Sequence, residues 1–175
     1  MVGNSPTSRR AFISLARTRF LHSGYRASGK ILEEDMLYTL ALFALQPIKF
    51  IKQYEWRELS DLERCAMGTF WKSVGDALGI SYSFLPSGAS GFQDGIQWLE
   101  EIDAWSEAYE TEKMVPDAKN RETADQTTDV LLYMLPKALH PVGLQFVSFM
   151  MDDRLRKAML YVSVVVLYTM QGLFD

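Results

Sequence analysis

Met36-Leu37-Tyr38-Thr39-Leu40-Ala41-Leu42-Phe43 is apolar nearly all round and follows directly on Glu33, Glu34 and Asp35. Those three acids suit the positive N-terminal end of a helix dipole, so a helix is expected from Leu32 onward. A helix apolar on most of its surface belongs at the centre of a core, with other helices around it. Pro47 is expected to kink this helix or to end it near Leu45. Beyond it, Ile48 to Trp56 reads as amphipathic, with Lys49 and Lys52 on the polar side.

Upstream, a helix can start at Pro6-Thr7 and place Ala11, Leu15, Thr18 and His22 at i, i+4, i+7 and i+11 on one face. Ser23-Gly24 is expected to stop it, with Gly24 in the left-handed position beyond the last turn. Downstream, Ser60-Asp61-Leu62-Glu63 is a capping box that opens a helix running to Leu78 and stopping at Gly79. A second box, Ser90-Gly91-Phe92-Gln93, is expected to open a helix whose Trp98, Ile102, Trp105 and Tyr109 form a core stripe. Pro116 closes that region. A further helix is expected after Asn120 through Met134, interrupted at Pro136, and Leu144 to Met151 is apolar again. Asp152-Asp153-Arg154 marks a capped or solvated start, and Val162 to Tyr168 suits either strand or helix. No alternating strand pattern recurs and no repeat is visible, so the expected class is an all-α, single multi-helix domain. Its expected division is a disordered 1–8, a helical body over 9–160 and an apolar tail over 161–175.

The chain has 175 residues, 48% hydrophobic and 23% charged, which is the composition of one globular domain with a sizeable core. Eighteen bases against 22 acids give −4, so no nucleic-acid partner is indicated. The charge is unevenly spread. The first thirty residues carry Arg9, Arg10, Arg17, Arg19, Arg26 and Lys30 with no acid, whereas Asp94 to Asp129 holds eleven acids against three bases. The acidic stretch reads as a solvated face. The basic one is either a helix of the fold or a mimic of a mitochondrial transit peptide. No apolar run reaches the ~18 residues of a membrane span.

One cysteine, Cys65, excludes an internal disulfide and a cysteine-built zinc site, and its helical setting reads as a buried structural thiol. Phosphate-binding glycine loops and nucleophile elbows are absent. Two histidines cannot make a multi-histidine metal centre, and the residues three before them are Arg19 and Lys137, so di-iron Glu-x-x-His pairs are excluded. A single-histidine cofactor site stays open, and haem iron is the usual group held that way. His22 suits it physically, since Arg17, Arg19 and Arg26 lie near enough in sequence to neutralise carboxylates such as haem propionates. The other reading is a helix-end histidine favoured by the dipole alone. His140, before Pro141, reads as an extended loop residue.

Several strings, in order, resemble the MpaB/rubber-oxygenase family. They are Arg19-Phe20-Leu21-His22-Ser23-Gly24-Tyr25-Arg26, Gly29-Lys30-Ile31, Asp35 to Leu40, Glu55-Trp56-Arg57, Phe70-Trp71-Lys72-Ser73-Val74-Gly75, Tyr109-Glu110 with Met114-Val115-Pro116, and Arg154 to Met159. Their order and spacing are similar to the fungal, endoplasmic-reticulum-bound branch over about residues 9–160. The resemblance implies an all-helical oxidoreductase that uses haem b and dioxygen to cleave an apolar, prenyl-type alkene. It puts the axial ligand on His22, with Arg19 and Arg26 as propionate partners. It also implies an endoplasmic-reticulum location and contact with a membrane surface. Relatives carry a further helical portion and a membrane anchor before this point, so a truncated fold is expected. The alternative is a non-catalytic helical fragment that binds lipid or a protein partner.

Overall fold

The structure is a computed structural model that describes Ser5 and residues 8–161. Among the described residues it is all-α, as expected, with seven α-helices and no strand. They are α1 (Arg9–Ala27), α2 (Glu33–Tyr54), α3 (Asp61–Leu78), α4 (Gly95–Lys113), α5 (Ala118–Leu132), α6 (His140–Met150) and α7 (Asp153–Ala158). A single 3-10 turn, Lys137–Leu139, precedes α6. The contacts divide the chain into two compact units, residues 1–109 and 110–175. The apolar stretch Val162 to Tyr168 lies outside the described residues.

In the first unit α2 packs on α3, and α1 packs on α3. Leu37, Leu40, Ala41 and Ala44 fall at i, i+3, i+4 and i+7 on α2 and are all buried. They meet Val74 of α3 and Trp98, Leu99 and Ile102 of α4, with Ile80 and Leu85 closing the core from the loop between those helices. The helix is central on one face only, because Phe43 is exposed and stacks at 5.5 Å on Trp71. Trp98 and Ile102 of the expected stripe are fully buried, while Trp105 packs on the core from its edge.

Two glycines bring backbones into contact. A Cβ on Gly68 would lie 2.8 Å from the Gly95 carbonyl carbon and 3.0 Å from Leu99 Cγ. Gly95 in turn has the Thr69 amide nitrogen 2.7 Å from where its own Cβ would be. The start of α4 therefore rests directly on α3, a closeness only glycine permits.

Helix ends follow local chemistry, with three differences from expectation. At α3 the capping box forms: Glu63 Oε2 accepts from the Ser60 amide at 2.9 Å, and Gly79 ends the helix with φ +69°. α1, however, runs through Gly24 to Ala27, and the left-handed glycine is Gly29. The amides of Ser28 and Lys30 bond back to the Gly24 and Tyr25 carbonyls, so the chain turns one helical turn later than the local Ser-Gly signal suggests. α2 continues through Pro47 to Tyr54. Pro47 stands on the exposed side, where water can reach the carbonyl it leaves without a donor. The second box does not open α4. Asp94 does, its Oδ1 accepting from the amides of Ile96 at 2.9 Å and Gln97 at 2.8 Å.

In the second unit α5 packs on α6. Asp117 caps α5, and Asp152 caps α7 by accepting from the Leu155 amide at 2.7 Å. His140 is helical, with φ −56° and ψ −41°, and it begins α6 instead of lying in an extended loop. Its Nε2 bonds the Leu135 carbonyl at 3.1 Å, so the turn before α6 holds the residue in place. Pro141 then fits the first turn, where its missing N–H costs nothing.

Candidate functional site

The inner face of α1 is the one the spacing predicts. Ala11 is buried, Leu15 packs against the core, and Thr18 and His22 are half-buried. His22 Nδ1 is inaccessible to solvent and has no hydrogen-bond partner among the described residues. In one tautomer a lone pair is left buried, in the other an N–H, and either costs about 1–3 kcal/mol. A ligand that met this nitrogen would remove the penalty. Trp98 Nε1 in the core and Ser148 Oγ in α6 are the other buried side-chain polar atoms in that state among the described residues.

One turn further along α1, Arg26 ties three helix ends together. Its Nε and one Nη each donate to a different oxygen of Glu33 at 2.8 Å, at the start of α2. The guanidinium also donates to the Gly79 carbonyl at 2.9 Å and the Leu78 carbonyl at 3.3 Å, at the end of α3. Those carbonyls are at the negative end of the α3 dipole, which a cation favours. Arg19 lies beside the same place: its Nη2 is 3.7 Å from where a Cβ on Gly79 would be. Arg19 makes no ion pair among the described residues, whereas the Arg26 donors are engaged. Of the two expected propionate partners, Arg19 alone is available without breaking another contact.

Arg17 is exposed and points away from this cluster's face of the helix. Cys65 is half-buried, not buried as expected, and its surroundings contain no cluster of metal-binding side chains among the described residues. Trp56 is exposed with the Arg57 guanidinium 5.6 Å over its ring, so this pair covers no core. Lys72 does lie over packed rings, 5.3 Å from Tyr82 and 5.8 Å from Phe92.

A cleft of about 420 Å³ opens at the other end of the first unit. Leu45, Ile48, Leu59 and Leu99 form its apolar walls, and Lys49 and Lys52 stand at its rim. Lys49 pairs with Asp103 at 2.6 Å and Lys52 with Glu58 at 3.5 Å. Arg64 in this cleft and Gly79 beside Arg26 are fifteen residues apart on α3, roughly 22 Å along the helix axis. The cleft and His22 are therefore separate places.

The second unit holds a polar network that the sequence alone did not reveal. Arg121 donates to both oxygens of Asp125, Tyr161 donates to Asp125 Oδ1 at 3.1 Å, and the Tyr161 and Thr128 hydroxyls meet at 3.2 Å. The Arg121 guanidinium lies 4.5 Å from the Tyr161 ring centre, and it holds the Asp125 carboxyl below its ordinary range. The Arg121–Asp125 spacing of four was readable as a helical ion pair. Tyr161 was not, because 36 residues separate it from Asp125.

No family model matches the chain, and no solved structure matches it. Curated proteins do. The chain is 76% identical over 162 residues to the endoplasmic-reticulum-bound oxygenase MpaB of Penicillium roqueforti, covering 93% of this chain and 54% of that protein. It is 76% identical over 161 residues to the endoplasmic-reticulum-bound oxygenase MpaB′ of Penicillium brevicompactum, covering 92% and 38%. To the MpaB of the same organism it is 73% identical over 132 residues, covering 75% and 34%. The chain thus spans about half, or less, of the length of the curated relatives it matches. At 73–76% identity over most of its own length, the chain is strongly homologous, as a partial match, to the fungal proteins MpaB and MpaB′.

Proposed function

We propose that the chain forms part of an oxygenase acting on an apolar alkene, with haem b held by His22. The kinship with proteins named oxygenases supports the reaction class. The observation that carries the ligand assignment is the buried Nδ1 of His22 on the inner face of α1, a ring nitrogen without a partner among the described residues. His22 supplies the imidazole, and Arg19 is the cation free to meet a propionate. Arg26 holds the end of α1 against α2 and α3, and it would reach a propionate only by releasing Glu33. When bound, haem would supply the site at which dioxygen is activated. Cleaving a carbon–carbon double bond with dioxygen breaks C=C and O–O and forms two carbonyl groups, so no further reductant is required. A prenyl-type chain is the substrate class proposed.

Reconstitution with haem tests the reading directly. A Soret band is expected, shifted or lost in His22→Ala while helix content stays unchanged. No band, or one identical in His22→Ala, overturns the ligand assignment. Turnover of a prenyl-type alkene to carbonyl products under oxygen tests the reaction.

A second reading, a non-catalytic helical segment that binds lipid or a protein partner, draws support from α5 and the residues after it. Val130, Leu131, Tyr133 and Met134 are exposed there in near succession, Met134 at 86%. Normal folding and association with neither haem binding nor turnover would favour it.

A further inference from the structure

Aromatic rings run in contact across the first unit, from Tyr38 of α2 through Tyr109 and Trp105 of α4 to Phe84 in the loop before α4. Tyr38 and Tyr109 are stacked with centres 4.8 Å apart, Trp105 follows at 5.2 Å from Tyr109, and Phe84 at 5.9 Å from Trp105. Trp105 and Tyr109 are one helical turn apart on the same face of α4, which keeps their rings together. Tyr109 also has a base. Its hydroxyl donates to Asp35 Oδ1 at 2.7 Å, while Asp35 Oδ2 accepts from the Leu32 amide at 3.0 Å. The cap at the start of α2 therefore fixes the carboxylate and leaves one oxygen for a phenol 74 residues further along the chain.

Other packed aromatic groups differ in what receives their proton. Tyr82 donates to the Lys72 carbonyl at 3.0 Å, which holds a hydrogen bond but cannot take up the proton. The Lys72 ammonium lies 5.3 Å over the Tyr82 ring, a position that disfavours loss of an electron. Burial and the Asp76 carboxylate push the Tyr82 phenol above its ordinary range. In the second unit Tyr161 donates to Asp125, but Arg121 holds both oxygens of that carboxylate and stands 4.5 Å over the ring. Trp98 Nε1 has no partner among the described residues. Tyr109 differs from all three: it joins a neighbouring tryptophan to a carboxylate that no arginine or lysine pairs with among the described residues.

We propose that Tyr109 is a redox-active residue, the resting place of a one-electron oxidation that reaches it through Trp105. The oxidant takes one electron and is itself reduced by one. The Tyr109 O–H bond breaks, its proton passes to Asp35 Oδ1, and a neutral phenoxyl radical then faces a neutral carboxyl group. The hydrogen bond is kept with its direction reversed, so no heavy atom has to move and no new charge is buried. An ascorbate-class reductant in solution returns the electron through the same rings, and the carboxyl returns the proton. Dioxygen chemistry that stops short of product leaves peroxide-derived one-electron oxidants, and a route that draws them to Tyr109 spares other side chains. The inference rests on the oxygenase reading for that oxidant alone; the redox property belongs to the chain and is tested without haem.

Flash photolysis of ruthenium tris-bipyridine, with a cobalt(III) ammine as electron acceptor, supplies a one-electron oxidant to the full chain. Electron paramagnetic resonance then detects the radical. Replacing the exposed Tyr25, Tyr54 and Tyr133, together with Tyr168, by phenylalanine removes competing phenols. A tyrosyl signal should remain in that background and be lost on adding Tyr109→Phe, which keeps the ring and removes one hydroxyl. Asp35→Asn should suppress the signal as well, and Asp35→Glu should restore it. Trp105→Phe should delay the radical in transient absorption. Circular dichroism identifies which variants are folded, and Tyr109→Phe, the mildest of them, is decisive. The inference is overturned if the background gives no tyrosyl signal, or if the signal survives Tyr109→Phe or is indifferent to Asp35→Asn. A Tyr109→Phe chain that melts lower yet gives the same signal would reduce the Asp35 bond to a tie between α2 and α4. A radical that forms on Tyr109 in a chain showing no Soret band with haem would strike the cofactor reading and leave this one standing.

Discussion

Gly68→Ala would place a methyl group between α3 and the first turn of α4. The new carbon would stand 2.8 Å from the Gly95 carbonyl carbon, still nearer its oxygen, and 3.0 Å from Leu99 Cγ. Ordinary carbon contacts are about 3.5–4.0 Å, so the helices must part by roughly 1 Å. The obstacle is backbone and no rotamer can relieve it, which puts the cost at the upper end of overpacking, about 3 kcal/mol. Alanine regains about 1 kcal/mol as a better helix former. The net loss is then about 2 kcal/mol, a fall in Tm of roughly 4–8 °C. Gly24→Ala is the control, because that glycine is also helical and has nothing within 4 Å of its would-be Cβ. There the helix preference acts alone, and Tm should rise by roughly 2–4 °C. Thermal unfolding followed by circular dichroism measures both. If the two substitutions moved Tm in the same direction, the backbone contact between α3 and α4 would be refuted.

Three further outcomes follow from helix ends. Asp94→Ala should destabilise by about 1 kcal/mol in urea unfolding, because two amides lose their acceptor, whereas Ser90→Ala should change nothing measurable. Arg26→Ala should cost about 1–2 kcal/mol, since it removes a bidentate pair that is partly exposed and leaves the last carbonyls of α3 without a donor. Arg57 and Ser60 hold the Glu63 carboxyl down from 4.5 to about 2. A depressed acid contributes stability that is complete above its unfolded value and disappears as pH falls through its folded one. Tm of the unaltered chain should therefore exceed that of Glu63→Gln above pH 4.5, and the two should converge near pH 2.

Where a signal was local, the sequence carried it. Ser60, Glu63 and Gly79 bound α3 as read, because a capping box and a left-handed glycine act within one turn. Gly24 and Gly29 show the limit of that method. Both follow a serine near the end of α1, and nothing within four residues tells which one ends the helix. The choice goes with the Arg26 contacts to Glu33 and to the end of α3, which lie 7 and 53 residues away. The inward face of His22 was legible from its spacing with Ala11, Leu15 and Thr18. Its unpartnered nitrogen was not, since whether a donor or acceptor waits there depends on packing partners far along the chain. Tyr161 joined the Arg121–Asp125 pair by the same kind of distant contact.

The Arg26 node also bears on motion. A helix terminus normally frays, and its amides exchange with solvent long before the core opens. Here the last turn of α1 is fastened at once to the first turn of α2 and the last carbonyls of α3. Releasing it means breaking four hydrogen bonds of one guanidinium. Amides near residues 26–33 and 78–80 should then open as one unit, and His22 rides on a helix end that is slow to open.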